Sequence, residues 1–226
     1  MRQLEILHVE PEWIICHKAP GMECEKEIPQ RLAAELGGTA ADYFCIHRLD
    51  RAVGGVMVYA RTRAAAAALS AQIQRHTFEK CYLAICTGCP EPQSGLMQDY
   101  LYKDAARGRT YPVKGLRRGV KAAELAYQTR AATTLDGASI SLVAVTLHTG
   151  RFHQIRAQFA ARKMPLLGDG KYGSREKRCA IALYSCRIGF RHPQTGAPLS
   201  FTVTPPNAFP WTCFPEVQRL APTAIK

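Results

Sequence analysis

Apolar positions along this chain fall into short runs of period two, with two stretches of helical period among them. Glu5-Ile6-Leu7-His8-Val9 and Trp13-Ile14-Ile15-Cys16 predict a pair of short strands. Glu10-Pro11-Glu12 divides them, since proline cannot donate to a ladder, and Lys18-Ala19-Pro20-Gly21 ends the second run for the same reason. Residues 56–60 are uniformly apolar and predict a buried strand. Thr62 is placed to cap a helix that carries five alanines at 64–68, with Leu69 and Ile73 four apart. Residues 79–86 predict a strand with Cys81, Leu83 and Ile85 on one face and Tyr82, Ala84 and Cys86 on the other. Residues 139–148 form a longer strand, apolar on both faces as a central position requires. Ile155 and Phe159 then give helical spacing over 153–162. Residues 182–190 and 199–203 alternate around the turn His192-Pro193-Gln194-Thr195-Gly196 and predict a hairpin. Strands outnumber helices without regular alternation, so the class is α+β with a largely antiparallel sheet flanked by helices.

Composition narrows the function classes. In 226 residues, 47% are hydrophobic and 21% charged, which excludes a disordered or fibrous chain. A chain of this length buries roughly 70% of its unfolded surface and needs no staple. No run reaches the ~18 apolar residues of a membrane span, and the start, MRQLEILHVEPEW, fits neither a signal nor a transit peptide. Nine cysteines, an odd number, point to free thiols in a reducing compartment, and the expected location is cytoplasmic. Thirty Lys+Arg against 18 Asp+Glu leave a formal charge of +12, which points to nucleic acid, the alternative being charge spread for solubility. The basic residues concentrate. Lys103, Arg107, Arg109, Lys114, Arg117, Arg118 and Lys121 face one acid, Asp104, in what reads as a basic excursion from the sheet over 103–121, and Lys171, Arg175, Lys177 and Arg178 make a second patch.

Two polar segments could carry chemistry. His47-Arg48-Leu49-Asp50-Arg51 surrounds one carboxylate with cationic side chains, which favours the ionised form that serves as nucleophile or base. An exposed salt bridge is the plain alternative. Thr149-Gly150-Arg151-Phe152-His153-Gln154-Ile155-Arg156 lies at a strand-to-helix junction, where a helix start and two arginines attract phosphate or carboxylate. Cys86 and Cys89 form a single CxxC without a second pair, a poor zinc site, and no metal is expected.

Read together, these segments resemble the RluA family of pseudouridine synthases. The likeness rests on His47-Arg48-Leu49-Asp50 with Gly55 and the strand to Ala60, on Thr149-Gly150-Arg151-x-His153-Gln154-Ile155-Arg156, and on Gly168-Asp169-x-x-Tyr172-Gly173. Lys80-x-Tyr82-x-Ala84 and Phe190-x-His192-Pro193-x-Thr195-Gly196 add to it. It implies the pseudouridine synthase fold, one catalytic domain over 1–226 without an S4 domain in front, and a monomer. The implied activity is isomerisation of uridine to pseudouridine in ribosomal or transfer RNA, with no cofactor. The family's catalytic residues fall on Asp50, as nucleophile or charge-stabilising carboxylate; on Tyr82, which would stack on the target ring and is also a candidate base at the ribose; and on Arg156, which would pair with Asp50 and keep it anionic. Arg48 matches the arginine that fills the gap left by the extruded nucleotide. Arg51, Arg151, His153, Gln154, Arg117, Arg118, Lys121 and Lys171 complete the expected RNA contacts. Three departures stand out: Val53-Gly54-Gly55 where the family reads Thr-Ser-Gly, Phe152 in the second motif, and a proline displaced by one in Lys18-Ala19-Pro20-Gly21. The first motivates an alternative, an RNA-binding or RNA-folding factor whose catalysis has decayed. A carboxylate-dependent hydrolase is weaker, because no second acid pairs with Asp50 in sequence.

Overall fold

The turn at Glu10-Pro11-Glu12 closes the first hairpin, in which β1 (Leu4–Val9) pairs antiparallel with β2 (Trp13–Lys18). The register slips between Ile6 and His8, and Leu7 is left 38% exposed on this edge strand. This computed structural model describes residues 4–219. The chain forms two units: the first runs to Lys80 and takes in Tyr184–Pro205, and the second holds Cys81–Leu183 and continues from Pro206.

In the first unit the order is β1-β2-β4-β10, with β4 spanning Gly54–Ala60, β10 spanning Leu183–Arg191 and β11 (Pro198–Thr202) paired to β10. A two-residue β3 (Phe44–Cys45) pairs with the far end of β4. All pairs are antiparallel except β10 with β4, where Ser185 lies opposite Gly55. Every residue of β4 is buried because both faces are covered. On one side Val56, Val58 and Ala60 join Trp13, Ile15, Ile188 and Phe190 against Ala65 and Leu69 of α2 (Arg63–Gln74). Thr62 caps that helix as its sequence predicts, its Oγ1 accepting from Ala65 N at 3.1 Å. On the other side Tyr59 donates to Cys24 O at 2.8 Å, just ahead of α1 (Glu27–Leu36). Sequence reading missed α1, although Pro29 sits in its first turn, where its missing N–H costs nothing.

The second unit is an antiparallel sheet with pairing order β5-β9-β8-β6-β7, in which β6–β7 and β8–β9 are hairpins. The ranges are Glu79–Thr87, Ser94–Asp104, Arg109–Val113, Val120–Leu135 and Ala138–Leu147 for β5 to β9. Residues 103–121 hold the end of β6, all of β7 and the start of β8, joined by turns at 105–108 and 114–119: Arg109 pairs with Asp104 across the first, and the second leads into β8. Helix α3 (Gln154–Ala161) has six consecutive buried residues, 154–159. A short helix buried this way must satisfy its polar side chains internally. The mixed α/β, mostly antiparallel architecture expected from the pattern is the one observed.

Candidate active site

In the first unit, the loop carrying Asp50 is anchored at almost every residue. His47 is buried, and its Nε2 accepts from Val58 N at 3.3 Å, tying the loop to β4. Burial pushes that imidazole down to about 3, so it is neutral. Leu49 is buried and its carbonyl faces the Cys24 thiol at 3.2 Å. Asp50 O accepts from Val53 N at 2.9 Å, closing a turn that leaves Asp50 half-buried. Arg51 is bonded twice to Gly21, through Nε to its carbonyl and through its own carbonyl to its N–H. Arg48 is exposed and pairs with a surface acid, Glu25, at 3.2 Å, a pair worth about 0–1 kcal/mol.

Lys18 is the residue in this unit whose role sequence reading missed. It ends β2, yet it is completely buried, and its Nζ donates to the carbonyls of Ala19, Asp50, Arg51 and Val53 at 3.3, 3.4, 3.1 and 2.5 Å. Burial lowers its pKa, while the nearby Asp50 charge works the other way. An ammonium has three donors in a compact head, which suits a ring of carbonyls. The displaced proline and the missing hydroxyls also meet here. A Cβ at Gly54 would lie 3.0 Å from Pro20 Cδ, so the ring fills the space that a serine would need.

In the second unit, Arg156 is 5% exposed and forms a bidentate pair with Asp169, itself 1% exposed, through Nε and Nη2 at 2.7 and 2.9 Å. Two of the three ordered motifs thus join inside one unit. Tyr172 completes the junction: its hydroxyl accepts from Thr110 N at 2.8 Å and lies 3.1 Å from His153 Nδ1, and its ring lies beneath Arg156 and Arg109. Burial raises the Tyr172 pKa despite the Thr110 N–H and the Arg156 charge. Gln154 is buried and braces the loop before α3, accepting from Thr149 Oγ1 and Arg151 N and donating to Glu124 O. His153 adopts a left-handed conformation at the helix start and stacks on Phe152, whose ring carries Lys103 at 4.6 Å.

Tyr82 is buried on β5 opposite Val145. Arg151 reaches Ala122 O at 2.8 Å, Lys171 reaches Gly108 O at 3.2 Å, and Arg117, Arg118 and Lys121 are exposed. Asp50, Arg48 and Arg51 therefore belong to the first unit, and Tyr82, Arg156 and the remaining expected contacts to the second. Asp169 and Tyr172 entered the sequence reading only as motif letters; a buried carboxylate thirteen residues from a buried arginine leaves no local signal. Cys86 is buried and its thiol is pushed up to about 12, which keeps it protonated.

Comparison with known proteins places these features. A sequence profile described as RNA pseudouridylate synthase matches residues 12–161. RNA pseudouridine synthase 2, chloroplastic, of Arabidopsis thaliana is 32% identical over 188 residues, covering 72% of this chain and 44% of the relative, so this chain spans less than half of that relative's length. tRNA pseudouridine synthase C of Salmonella typhimurium is 28% identical over 226 residues, with 87% and 83% covered. Among solved structures, Human RNA Pseudouridylate Synthase Domain Containing 1 superposes with a TM-score of 0.76 at 21% identity, covering 92% of this chain and 86% of that one. With its first two ordered motifs inside the matched segment and the same fold around them, this chain belongs to the RNA pseudouridylate synthase family, of the RluA type.

Proposed function

We propose that this chain isomerises uridine to pseudouridine within structured RNA, ribosomal or transfer RNA being the substrates considered, with residues 1–226 acting as one catalytic domain. The observation that carries the reading is the Asp50 loop. Buried anchors at His47, Lys18 and Leu49 hold it, while Asp50 itself stays half-buried. Such a carboxylate is preorganised and still accessible to a flipped nucleotide. The reaction breaks the C1′–N1 bond, turns the uracil and joins C1′ to C5, with the C5 proton moving to solvent or to N1. It gains and loses no atoms, so it consumes no co-substrate.

Asp50 is the nucleophile, at the sugar or the base, or stabilises charge as the glycosidic bond breaks. Tyr82 offers a flat ring to the extruded uracil. Arg156, fixed by Asp169, supplies positive charge to the reaction. Pulling the target from its stack costs roughly a few kcal/mol; Arg48 fills the gap the nucleotide leaves, and the cations of the second unit offset the cost through phosphates. Pro20 packed at Gly54 supports an active loop over the decayed factor, since packing closes it where relatives carry hydroxyls. The test has two parts. Mapping pseudouridines in total RNA from cells with and without this protein identifies the site. Purified Asp50→Asn and Asp50→Ala are then expected to bind that RNA normally and form no pseudouridine; full turnover by Asp50→Ala overturns the assignment.

A further inference from the structure

Side chains two apart on a strand share a face, and β6 uses its two faces differently. Met97 and Leu101 are buried on one of them. Helix α3 covers that side, Gln158 Nε2 donating to Met97 O at 3.0 Å and to Asp99 Oδ2 at 2.7 Å. The other face presents Leu96, Tyr100 and Tyr102, which are 58%, 38% and 38% exposed. Across the ladder Tyr111 of β7 lies opposite Tyr102, with the Arg109 guanidinium 5.5 Å from its ring centre. The turn between β7 and β8 adds the exposed cations Lys114, Arg117 and Arg118.

Exposed aromatic rings flanked by cations on a sheet face are the composition that binds unpaired nucleic acid: each base has a π-face to stack, and the cations follow the backbone. Positions i and i+2 stand about 7 Å apart along a strand, twice the rise of a stacked base. The two tyrosines therefore suit bases splayed out of a helix, and a duplex offers them no exposed base faces.

We propose that this face of β6, β7 and β8 binds an unpaired stretch of the RNA substrate, with Tyr100 and Tyr102 stacking on bases and the neighbouring cations on phosphates. The proposal rests on the reading above only for the class of partner. The probe is a fluorescent oligouridylate of about a dozen nucleotides, within the usual site size for such surfaces, with an A·U duplex of equal length as control. Tyr100→Ala with Tyr102→Ala is expected to weaken oligouridylate binding at least tenfold. Its salt dependence should stay unchanged, because no charge is lost. Tyr100→Phe with Tyr102→Phe should keep wild-type affinity, since stacking needs the ring and not the hydroxyl.

Wild-type affinity in the double alanine variant overturns the proposal. Equal loss in the phenylalanine variant does so too, as does duplex binding as tight as that of the single strand. Absence of oligouridylate binding by the wild type at low salt also overturns it and leaves the tyrosines to a protein partner. Tyrosine-dependent binding by a protein that forms no pseudouridine would sink the activity and leave this surface standing.

Discussion

Arg156 and Asp169 together bury a full ion pair, and such pairs are more costly to break than valuable to make. Asp169→Asn keeps the shape of the carboxylate but removes its charge, leaving the guanidinium in low dielectric with only neutral acceptors from that side. Urea unfolding is expected to show a loss of about 3–5 kcal/mol, and pseudouridine formation should fall with it; unchanged stability would mean that the pair is solvated. His47 makes a separate, pH-dependent contribution. Its folded pKa, about 3, lies below the ordinary 6.5 because burial disfavours the cation. Below pH 6.5 the unfolded chain takes up a proton that the folded chain refuses. Stability is therefore full above that pH and is lost as pH falls toward 3, by at most about 1.4 kcal/mol per pH unit. Unfolding at pH 7 and pH 5 checks this: His47→Asn should flatten the dependence, and an equally steep slope in that variant would remove His47 as its source.

At the scale of elements, β4 shows how two adjacent glycines do different work. Gly55 has φ +132°, and a Cβ there would come within 2.2 Å of Ser185 O, so no side chain fits beside the parallel partner β10. Gly54 is crowded only by the Pro20 ring and Lys18 O. Gly54→Ser is expected to cost about 1–3 kcal/mol by overpacking, and Pro20→Ala in the same chain should recover much of it. Additive losses in that double-mutant cycle would show that the two positions do not sense each other. Most of this fold was legible locally. The first hairpin, β4, α2, β5, β9, α3 and the final hairpin lie where apolar period and turn residues put them. β8 was not, since VKAAELAYQTRAATTL is rich in helix-favouring residues, and pairing on both edges, with β6 and β9, overrides that preference. β6 escaped notice because its outward side chains are aromatic and polar by turns.

For the molecule as a whole, +12 is a statement about partners, and its distribution makes that statement specific. Arg117, Arg118 and Lys121 are exposed in the second unit, whereas Lys18 and Arg156 are buried and unavailable to solvent phosphates. Neutralising the three exposed residues together is expected to weaken binding of single-stranded RNA. It should also lower the slope of log affinity against log salt by about 2, near 0.7 per phosphate contact. Titrations at several salt concentrations measure it, and an unchanged slope would make these residues a solvated edge. All nine cysteines are free thiols, and no described helix is long and apolar enough to cross a membrane.

The amino-acid order alone determined the strand-rich class, the boundaries of most elements and the ordered motifs that identify the family, because periodicity, capping and turn chemistry act over a few neighbouring residues. Tertiary structure decided which polar groups are buried and what satisfies them. It turned Lys18 from a strand end into the clasp of the Asp50 loop, made Asp169 a partner of Arg156, used Gln154 to brace its own loop, and left Tyr100 and Tyr102 on an uncovered face. Burial and pairing depend on segments that meet only after folding, such as Lys18 with Val53 or Thr110 with Tyr172. No local pattern encodes which distant carbonyl or carboxylate will arrive.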